Sequence, residues 1–556
     1  MDYKASMDLL IPAISRIANA LLVQLSQLEL SLIAALLLLA LVAADYRYIR
    51  PHRIKNLPSI PWWIPIWGNL SILFPQAHNY KQSPCSRFAE LAQKHGDVFQ
   101  VRLGTRTVVV ANSYDSILQL WCYHNIRNNN SRPILHTFHG VLSQSKVFTV
   151  GTTPFGESYL KSRKYMSSRL LNESSNRKYN SSIIDKEATK LVRYVLSRTT
   201  DDVVEMDITR DCQYFHLGVA LILTYGYEIN ARENKDERQL ADEMVYVENY
   251  ITKIRSHIQN VQDYLPWYLR LVFDIFSGKS KIARELYHRR NNYLYKFNQF
   301  TTSHLDVPDE YVRRSLIFNY VKNNDQELLN ESQLGSICLT MVSAGLDNTP
   351  LNFQYAMIQL SESPHIRVNA RAKLLKCYND DSIEAWNNCH AENLCPYVVA
   401  IVKETLRLFT VLPMSLPRET TRDIVIGDAV IPRGTTLFMN AWAGNHDKRR
   451  FFKPMEFIPE RWLDPETGNV DTNLRHFSFG VGSRMCLGNN LAFKELYVLI
   501  CKFLLMFEIE AANDESPSLH PLELNQFPES IAIEPIETNV RYTVKDKALQ
   551  DYVEGV

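Results

Sequence analysis

One cysteine sits in a run whose residue types could hold and drive a metal. The stretch Phe479-Gly-Val-Gly482-Ser-Arg484-Met-Cys486-Leu-Gly488 fits the pattern F-x-x-G-x-R-x-C-x-G. With average residue frequencies, five fixed positions match by chance in roughly one chain of this length in ten thousand. Glycine permits positive-φ turns and a close approach of backbone to a flat group. Arginine can grip a carboxylate with two parallel hydrogen bonds. A cysteine presented by such a loop can ligate iron as a thiolate, and that ligand pushes electron density toward bound oxygen in a way that favours O–O cleavage. The alternative is a buried structural cysteine beside a glycine-rich turn, since free cysteine is among the most buried residue types. The number of fixed positions selects the metal ligand.

Two further groups share this logic. Glu404-Thr-Leu-Arg407 lies in the apolar helical pattern of Val398 to Phe409, and the i, i+3 spacing puts both charges on one helix face. Arg461, in Pro459-Glu460-Arg461-Trp462, offers a third member. A buried Glu–Arg–Arg cluster would fix the chain leading into the cysteine loop, and losing one member would strand charge. Alone, the pair reads equally as an exposed ion pair of little energetic value.

The order E-x-x-R, P-E-R-W, F-x-x-G-x-R-x-C-x-G resembles the cytochrome P450 superfamily of haem-thiolate monooxygenases. The resemblance spans nearly the whole chain. It implies haem, with Cys486 as axial ligand to iron and Phe479, Gly482, Arg484 and Gly488 shaping the loop around it. It also implies electrons from NADPH through a separate flavoprotein reductase. The propionates of that haem need cations. Arg484 is the first, Arg163 in Tyr159-Leu-Lys-Ser-Arg163 resembles the family's W-x-x-x-R, and Arg418 after Leu416-Pro417 matches a third contact. His476 is a further candidate. Arg163 and Arg418 read otherwise as surface arginines.

The resemblance also directs attention to Ala344-Gly345-Leu-Asp347-Asn348-Thr349, similar to the family's A-G-x-D-T-T. It implies room for O2 at Ala344 and Gly345, and a proton supply for oxygen activation from Asp347 and the residues after it. Asn348 stands where the family has threonine. On a regular helix Thr349 is rotated by about 100° from that position and does not simply substitute. A local π-bulge could re-aim it, and Pro350 makes a distortion plausible. A helix cap or kink without proton chemistry is the other reading.

Most of the chain around these residues has a helical pattern. Helical periods dominate from about Ser158 to Ser361. Asp97–Ala111 reads as a β-hairpin with a Gly-Thr turn. Strand character returns at Asp423–Thr436, with turns at Gly427 and Gly434. The expected fold is mainly α with small β-sheets, a single large cytochrome P450 domain at 69–545. Before it come a membrane-anchor segment at 1–45 and a basic, proline-rich hinge at 46–68. Leu30 to Ala44 is apolar except for Ser31. As a helix it covers only about 22 Å, and extension back to Leu21 reaches about 36 Å at the cost of four polar residues. A cleaved signal peptide and a buried core helix are the alternatives. Arg47, Arg50, Arg53 and Lys55 follow the stretch, against Lys4 and Arg16 before it. The positive-inside rule then leaves the catalytic domain facing the cytoplasm, and the expected location is the endoplasmic reticulum membrane.

Composition sets the outer limits. With 46% hydrophobic and 22% charged residues the chain is globular, and its net charge of +1 excludes a nucleic-acid backbone binder. Nine cysteines without a C-x-x-C pair suit a reducing compartment.

Finer strings, Leu135-His136-Thr-Phe-His139, Phe438-Met-Asn-Ala-Trp442, Glu495-Leu-Tyr-Val498 and an end strand at Pro-Glu-Ser-Ile531, resemble the fungal phenylacetate hydroxylases. They imply ring hydroxylation of a small aromatic acid. The same chemistry on a fatty acid, sterol or tyrosine-derived substrate stays open, as does a non-catalytic haem-binding protein. Val411 to Leu416 should line the pocket, and His136 and His139 are candidates to hold a substrate carboxylate. Lys161, Lys164 and Lys448-Arg-Arg450 could form a reductase-docking face or a solvated one.

Overall fold

The predicted hairpin forms as β1 (Val98–Leu103) and β2 (Arg106–Ala111), antiparallel with Val98 opposite Ala111. Its turn uses Gly104 at φ +56°, where a side chain would collide with the Tyr264 carbonyl. The remaining strands are β3 (Val203–Met206), β4 (Arg418–Glu419), β5 (Ile424–Ile426), β6 (Ala429–Ile431), β7 (Thr436–Met439), β8 (Phe507–Ala511) and β9 (Val540–Val544). They make three small sheets, ordered β1-β2-β7-β4, β3-β9-β8 and β5-β6. In this computed structural model the described residues are 53–62, 66–74, 83–171, 174–256, 260–391, 394–512 and 517–555, with scattered positions of one helix between 29 and 43.

Seven of the helices carry the site: α1 (Glu157–Met166), α2 (Thr209–Tyr225), α3 (Lys235–Ile254), α4 (Glu331–Ser343), α5 (Asn348–Ser361), α6 (Pro396–Phe409) and α7 (Asn489–Met506). Asp211 to Tyr225 of α2 is buried without interruption, as an apolar-all-round helix must be. Gly226 ends it in the left-handed conformation, its N–H on the Ile222 and Leu221 carbonyls. α5 packs on α2, α6 and α7. Pro396 opens α6 at a position where no backbone N–H is needed.

The hinge is docked over its described part: Ile54, Leu57 and Ile60 are buried. Gln100 explains why. Its Oε1 accepts from Ile54 N (2.8 Å), and its Nε2 donates to the Ile54 and Leu57 carbonyls (2.7 and 2.8 Å). At the other end folded chain continues past 545, since a helix at Lys547–Glu554 buries Leu549 and Val553. Pro528 to Ile531 is a turn, not a strand. Most of the predicted anchor lies outside the described residues. Its described positions are helical, with Leu32, Ile33, Leu36, Leu37 and Leu39 exposed. Among the described residues no helix is long and apolar enough to cross a membrane.

Candidate active site

Cys486 opens into a cavity of about 250 Å³ whose wall is made by its own loop, α1, the α4–α5 junction, the start of α7 and the chain after α6. The loop is closed by Cys486 N–H on the Phe479 carbonyl (2.9 Å) and Gly480 N–H on the Phe477 carbonyl (2.8 Å). Gly482 at φ +71° passes so close to the Trp121 carbonyl that a Cβ would sit 2.2 Å from it. Gly488, also on the wall, has open space where a side chain would stand. Burial raises the Cys486 thiol pKa, opposed by the Gly488 N–H and the Arg163 charge. Among the described residues all nine cysteines are free, and Cys486 alone of them lines this cavity.

The loop is tied to the predicted charge cluster by a residue that sequence reasoning missed. Glu404, fully buried, accepts from Arg407 Nε and Nη2 (both 2.8 Å), Arg461 Nε (3.0 Å), Ile458 N (3.0 Å) and Trp462 Nε1 (2.9 Å). Arg407 Nη1 then donates to the Asn445 carbonyl (2.9 Å). Asn445 accepts from Phe477 N through Oδ1 (2.8 Å) and donates to Ser478 Oγ (3.2 Å). Cluster, Asn445 and cysteine loop are thus one hydrogen-bonded chain.

Four arginines converge on one side of the cavity: the predicted Arg163, Arg418 and Arg484, and the unforeseen Arg132. Arg484 lies 3.6 Å over the Tyr159 ring, its Nη2 on the Thr153 carbonyl (2.5 Å) and its buried Nη1 without a partner among the described residues. Arg418 holds Asn129 Oδ1 (2.8 Å) and the Val481 carbonyl. Arg163 Nη2 donates to Met485 O (3.0 Å). Burial, and then mutual repulsion, pull Arg418 down to about 9 and hold Arg132 well below the usual arginine range. Burial brings Arg484 to about 10 although Tyr159 opposes the shift. Such a group is short of anions. Together with an open thiol, an unpartnered Nη1 and a bare Gly488, it fits a flat, iron-bearing ligand with two carboxylates. His476 is elsewhere: it sits between Trp462 and Phe479, with ring centroids 5.9 and 5.8 Å away, and burial lowers it to about 3.

Opposite the cysteine, the long helix is broken rather than bulged. α4 ends at Ser343, Ala344 to Asp347 form bends and turns, and α5 begins at Asn348. Pro350 has no N–H for the Leu346 carbonyl, which removes one bond of the ladder there. Asn348 Nδ2 instead donates to the Ala344 carbonyl (2.6 Å). The break brings Asn348 and Thr349 together onto the cavity wall beside Ala344 and Gly345, so a regular-helix rotation does not apply. Asp347 is not on that wall. It faces α3, where Thr252 bonds it and the Asn249 amide does so once its NH2 is turned toward the carboxylate, and burial raises its pKa.

Thr349 Oγ1 donates to Glu495 Oε2 (2.8 Å), and Glu495 Oε1 lies 3.2 Å from His216 Nδ1. All three are buried on the cavity wall, and among the described residues His216 Nε2 has no partner. A Cβ on Gly345 would stand 2.0 Å from the His216 ring. Gly345→Ala is therefore expected to displace His216 from Glu495 and cost about 1–3 kcal/mol, measured as a lower unfolding midpoint.

A side chamber of about 30 Å³ adjoins this cavity, walled by Leu135, Phe138, His139, Leu416, Pro417 and Ile531. Of the predicted lining stretch, Val411, Leu412, Ser415 and Leu416 reach the main cavity. Neither candidate histidine is free for a carboxylate. His136 Nε2 pairs with Asp274 (2.8 Å). His139 Nδ1 takes the Leu135 N–H (3.0 Å) and its Nε2 the Thr152 carbonyl (3.2 Å), and burial lowers its pKa. In the basic face, Lys161 pairs with Glu157, Arg449 with Asp97 and Asp447, and Arg450 with Asp115.

Comparison with known proteins agrees with this arrangement. The chain is 37% identical over 528 residues to phenylacetate 2-hydroxylase of Emericella nidulans, covering 92% of this chain and 96% of that one. It is 32% identical to 3-hydroxyphenylacetate 6-hydroxylase of the same organism, with 88% and 89% covered. A cytochrome P450 monooxygenase of Mycosarcoma maydis is 30% identical over 92% of each chain. The cytochrome P450 family model matches residues 58–533, and with its thiol, its arginines and its broken helix around one cavity the chain belongs to the cytochrome P450 family of haem-thiolate monooxygenases.

Proposed function

We propose that this monooxygenase hydroxylates the ring of a small aromatic acid such as phenylacetate. The observation that carries the reading is the small, apolar-walled side chamber next to the Cys486 cavity. At about 30 Å³ it is too small for a whole ring, so a ring would enter it only by an edge and lie mainly in adjoining space of the larger cavity. The names of two relatives, phenylacetate 2-hydroxylase and 3-hydroxyphenylacetate 6-hydroxylase, support the same class.

When bound, the haem supplies reductive activation of O2 and insertion of one oxygen atom into a C–H bond, the other leaving as water. Cys486 Sγ would hold its iron, and Arg484, Arg418, Arg163 and Arg132 its carboxylates. The hydrogen-bonded chain from Glu404 through Asn445 keeps the cysteine loop from shifting. Ala344, with its small side chain, leaves space on the opposite wall, whereas the room left by Gly345 is taken by the His216 ring. Thr349 Oγ1 delivers a proton to that space and is resupplied through Glu495, with His216 holding the carboxylate. Asn348 keeps the helix break in place through the Ala344 carbonyl. Asp347, turned toward α3, makes no hydrogen bond in this route and acts on it only through its charge near His216. Electrons come from a redox partner, in our reading an NADPH-dependent flavoprotein reductase approaching the α1 face near Lys164. The exposed leucines of the N-terminal helix support attachment to a membrane, which we place at the endoplasmic reticulum.

The test is incubation with such a reductase, NADPH and phenylacetate, with products read by mass spectrometry. Ring-hydroxylated phenylacetate is expected; oxidation of fatty acids or sterols alone would sink the aromatic-acid reading. In the same assay Thr349→Val should lower product per NADPH by roughly ten-fold or more and raise hydrogen peroxide release. Unchanged peroxide release removes Thr349 from the proton route.

A further inference from the structure

Arg255 follows the last residue of α3 and caps it, its backbone N–H on the Ile251 carbonyl (2.9 Å). Its side chain lines both the Cys486 cavity and the side chamber. Its Nε is buried and, among the described residues, without a hydrogen-bond partner. Two carboxylates act on it, Asp347 and Glu248, and Arg290 repels it. Both carboxylates are already engaged. Asp347 takes Thr252 and, with the Asn249 amide oriented so that its NH2 faces the carboxylate, Asn249 at 2.5 Å. Glu248 Oε1 takes the Tyr293 hydroxyl (2.5 Å).

A guanidinium with a buried, idle donor is costly unless something completes it. The other polar groups near the side chamber are occupied. His136 and His139 have their partners, and Arg132 gives its Nε to Gly151 O (2.9 Å) and its Nη1 to the Leu416 and Pro417 carbonyls (2.8 and 2.7 Å). Arg132 also belongs to the four-arginine group by its electrostatics, whereas Arg255 faces the acids behind the helix break. Leu135, Phe138, Leu416 and Ile531 supply apolar wall next to Arg255.

We propose that Arg255 is the carboxylate anchor of the substrate site, pairing with the acid group of a small arylacetic acid while the apolar wall takes the ring. This rests on the aromatic-acid reading above. Arginine suits the task because its planar fork matches a carboxylate and keeps its charge when buried. It also makes the site selective for acids over neutral aromatics of the same shape, which would leave the guanidinium unmatched.

The experiment is a spectral titration of the haem-loaded full chain, wild type, Arg255→Leu and Arg255→Lys, with phenylacetate, 2-phenylethanol and a medium-chain fatty acid. Binding is read as the spin-state change and confirmed by calorimetry. Arg255→Leu should weaken phenylacetate by about 30-fold or more, leave 2-phenylethanol within about three-fold, and lose selectivity for acids; Arg255→Lys should fall between. Phenylacetate binding that is unchanged in Arg255→Leu overturns the anchor while sparing the aromatic-acid reading. An equal loss for acid and alcohol also overturns it, by showing a general packing role. A wild type that binds only the fatty acid, in an Arg255-dependent way, keeps the anchor and overturns the aromatic class. No binding of any acid overturns both.

Discussion

Cys486→Ser is expected to abolish the thiolate-type carbon-monoxide difference spectrum and to lower turnover by more than about 100-fold, while the protein still folds. Changes in groups that merely orient a ligand cost 10–100-fold in metal affinity or activity, so loss of the ligand itself costs more. Serine cannot replace the thiolate, because its oxygen stays protonated and does not give the electron push that favours O–O cleavage. No other cysteine is placed to take over, since Cys486 is the only one on the cavity wall among the described residues. The fold should tolerate the change. The loop is closed by backbone bonds of Cys486, Gly480 and Met485, and its side chain points into open space rather than into packed core. Reduced protein with carbon monoxide gives the answer, alongside a thermal melt to show that folding is retained. A variant that keeps the thiolate-type band would overturn the assignment of the ligand.

How much of this was legible depended on whether the cause was local. The turn at Gly104, the cysteine loop and the Glu404–Arg407 pair depend on neighbours within a few residues, and residue type and spacing report them directly. Asn445 carries no local sign of its role. It matters because Arg407 and Phe477, 38 and 32 residues away, reach it in the fold. His216 is further still, 279 residues from Glu495, and an apolar helix pattern says only that it is buried. Pro350 did point to a distortion, but the result is a break with Asn348 as its clasp, which no helical rotation rule anticipates. The prolines of the hinge carry no sign of how it docks, because that rests on Gln100, 43 to 46 residues away, which gives the segment three hydrogen bonds in the core. The histidines failed as carboxylate anchors for a similar reason: Asp274 and two backbone groups had already claimed them.

Glu404→Gln is expected to destabilise the protein by about 3–5 kcal/mol and to lower haem retention without touching the cavity. The carboxylate is completely buried and receives five N–H donors. Oε1 takes three of them and Oε2 two, so whichever oxygen becomes an amide NH2 faces donors and cannot accept. Arg407 would be left as a completely buried cation whose carboxylate partner is gone, the situation in which breaking an ion cluster costs most, while Arg461 at the edge keeps only the charge of Glu456. The loss should reach Cys486, because Arg407 positions Asn445 and Asn445 holds Phe477 and Ser478 at the entrance to the loop. Denaturant unfolding measures the first effect, and the ratio of haem absorbance to protein after gel filtration measures the second. Arg461→Lys is the companion variant: it keeps a charge at the partly solvated edge of the cluster and should cost clearly less. Equal stability of Glu404→Gln and wild type would mean that the cluster does not brace the cysteine loop, and that its rigidity comes from the backbone turns at Gly480 and Gly482 alone.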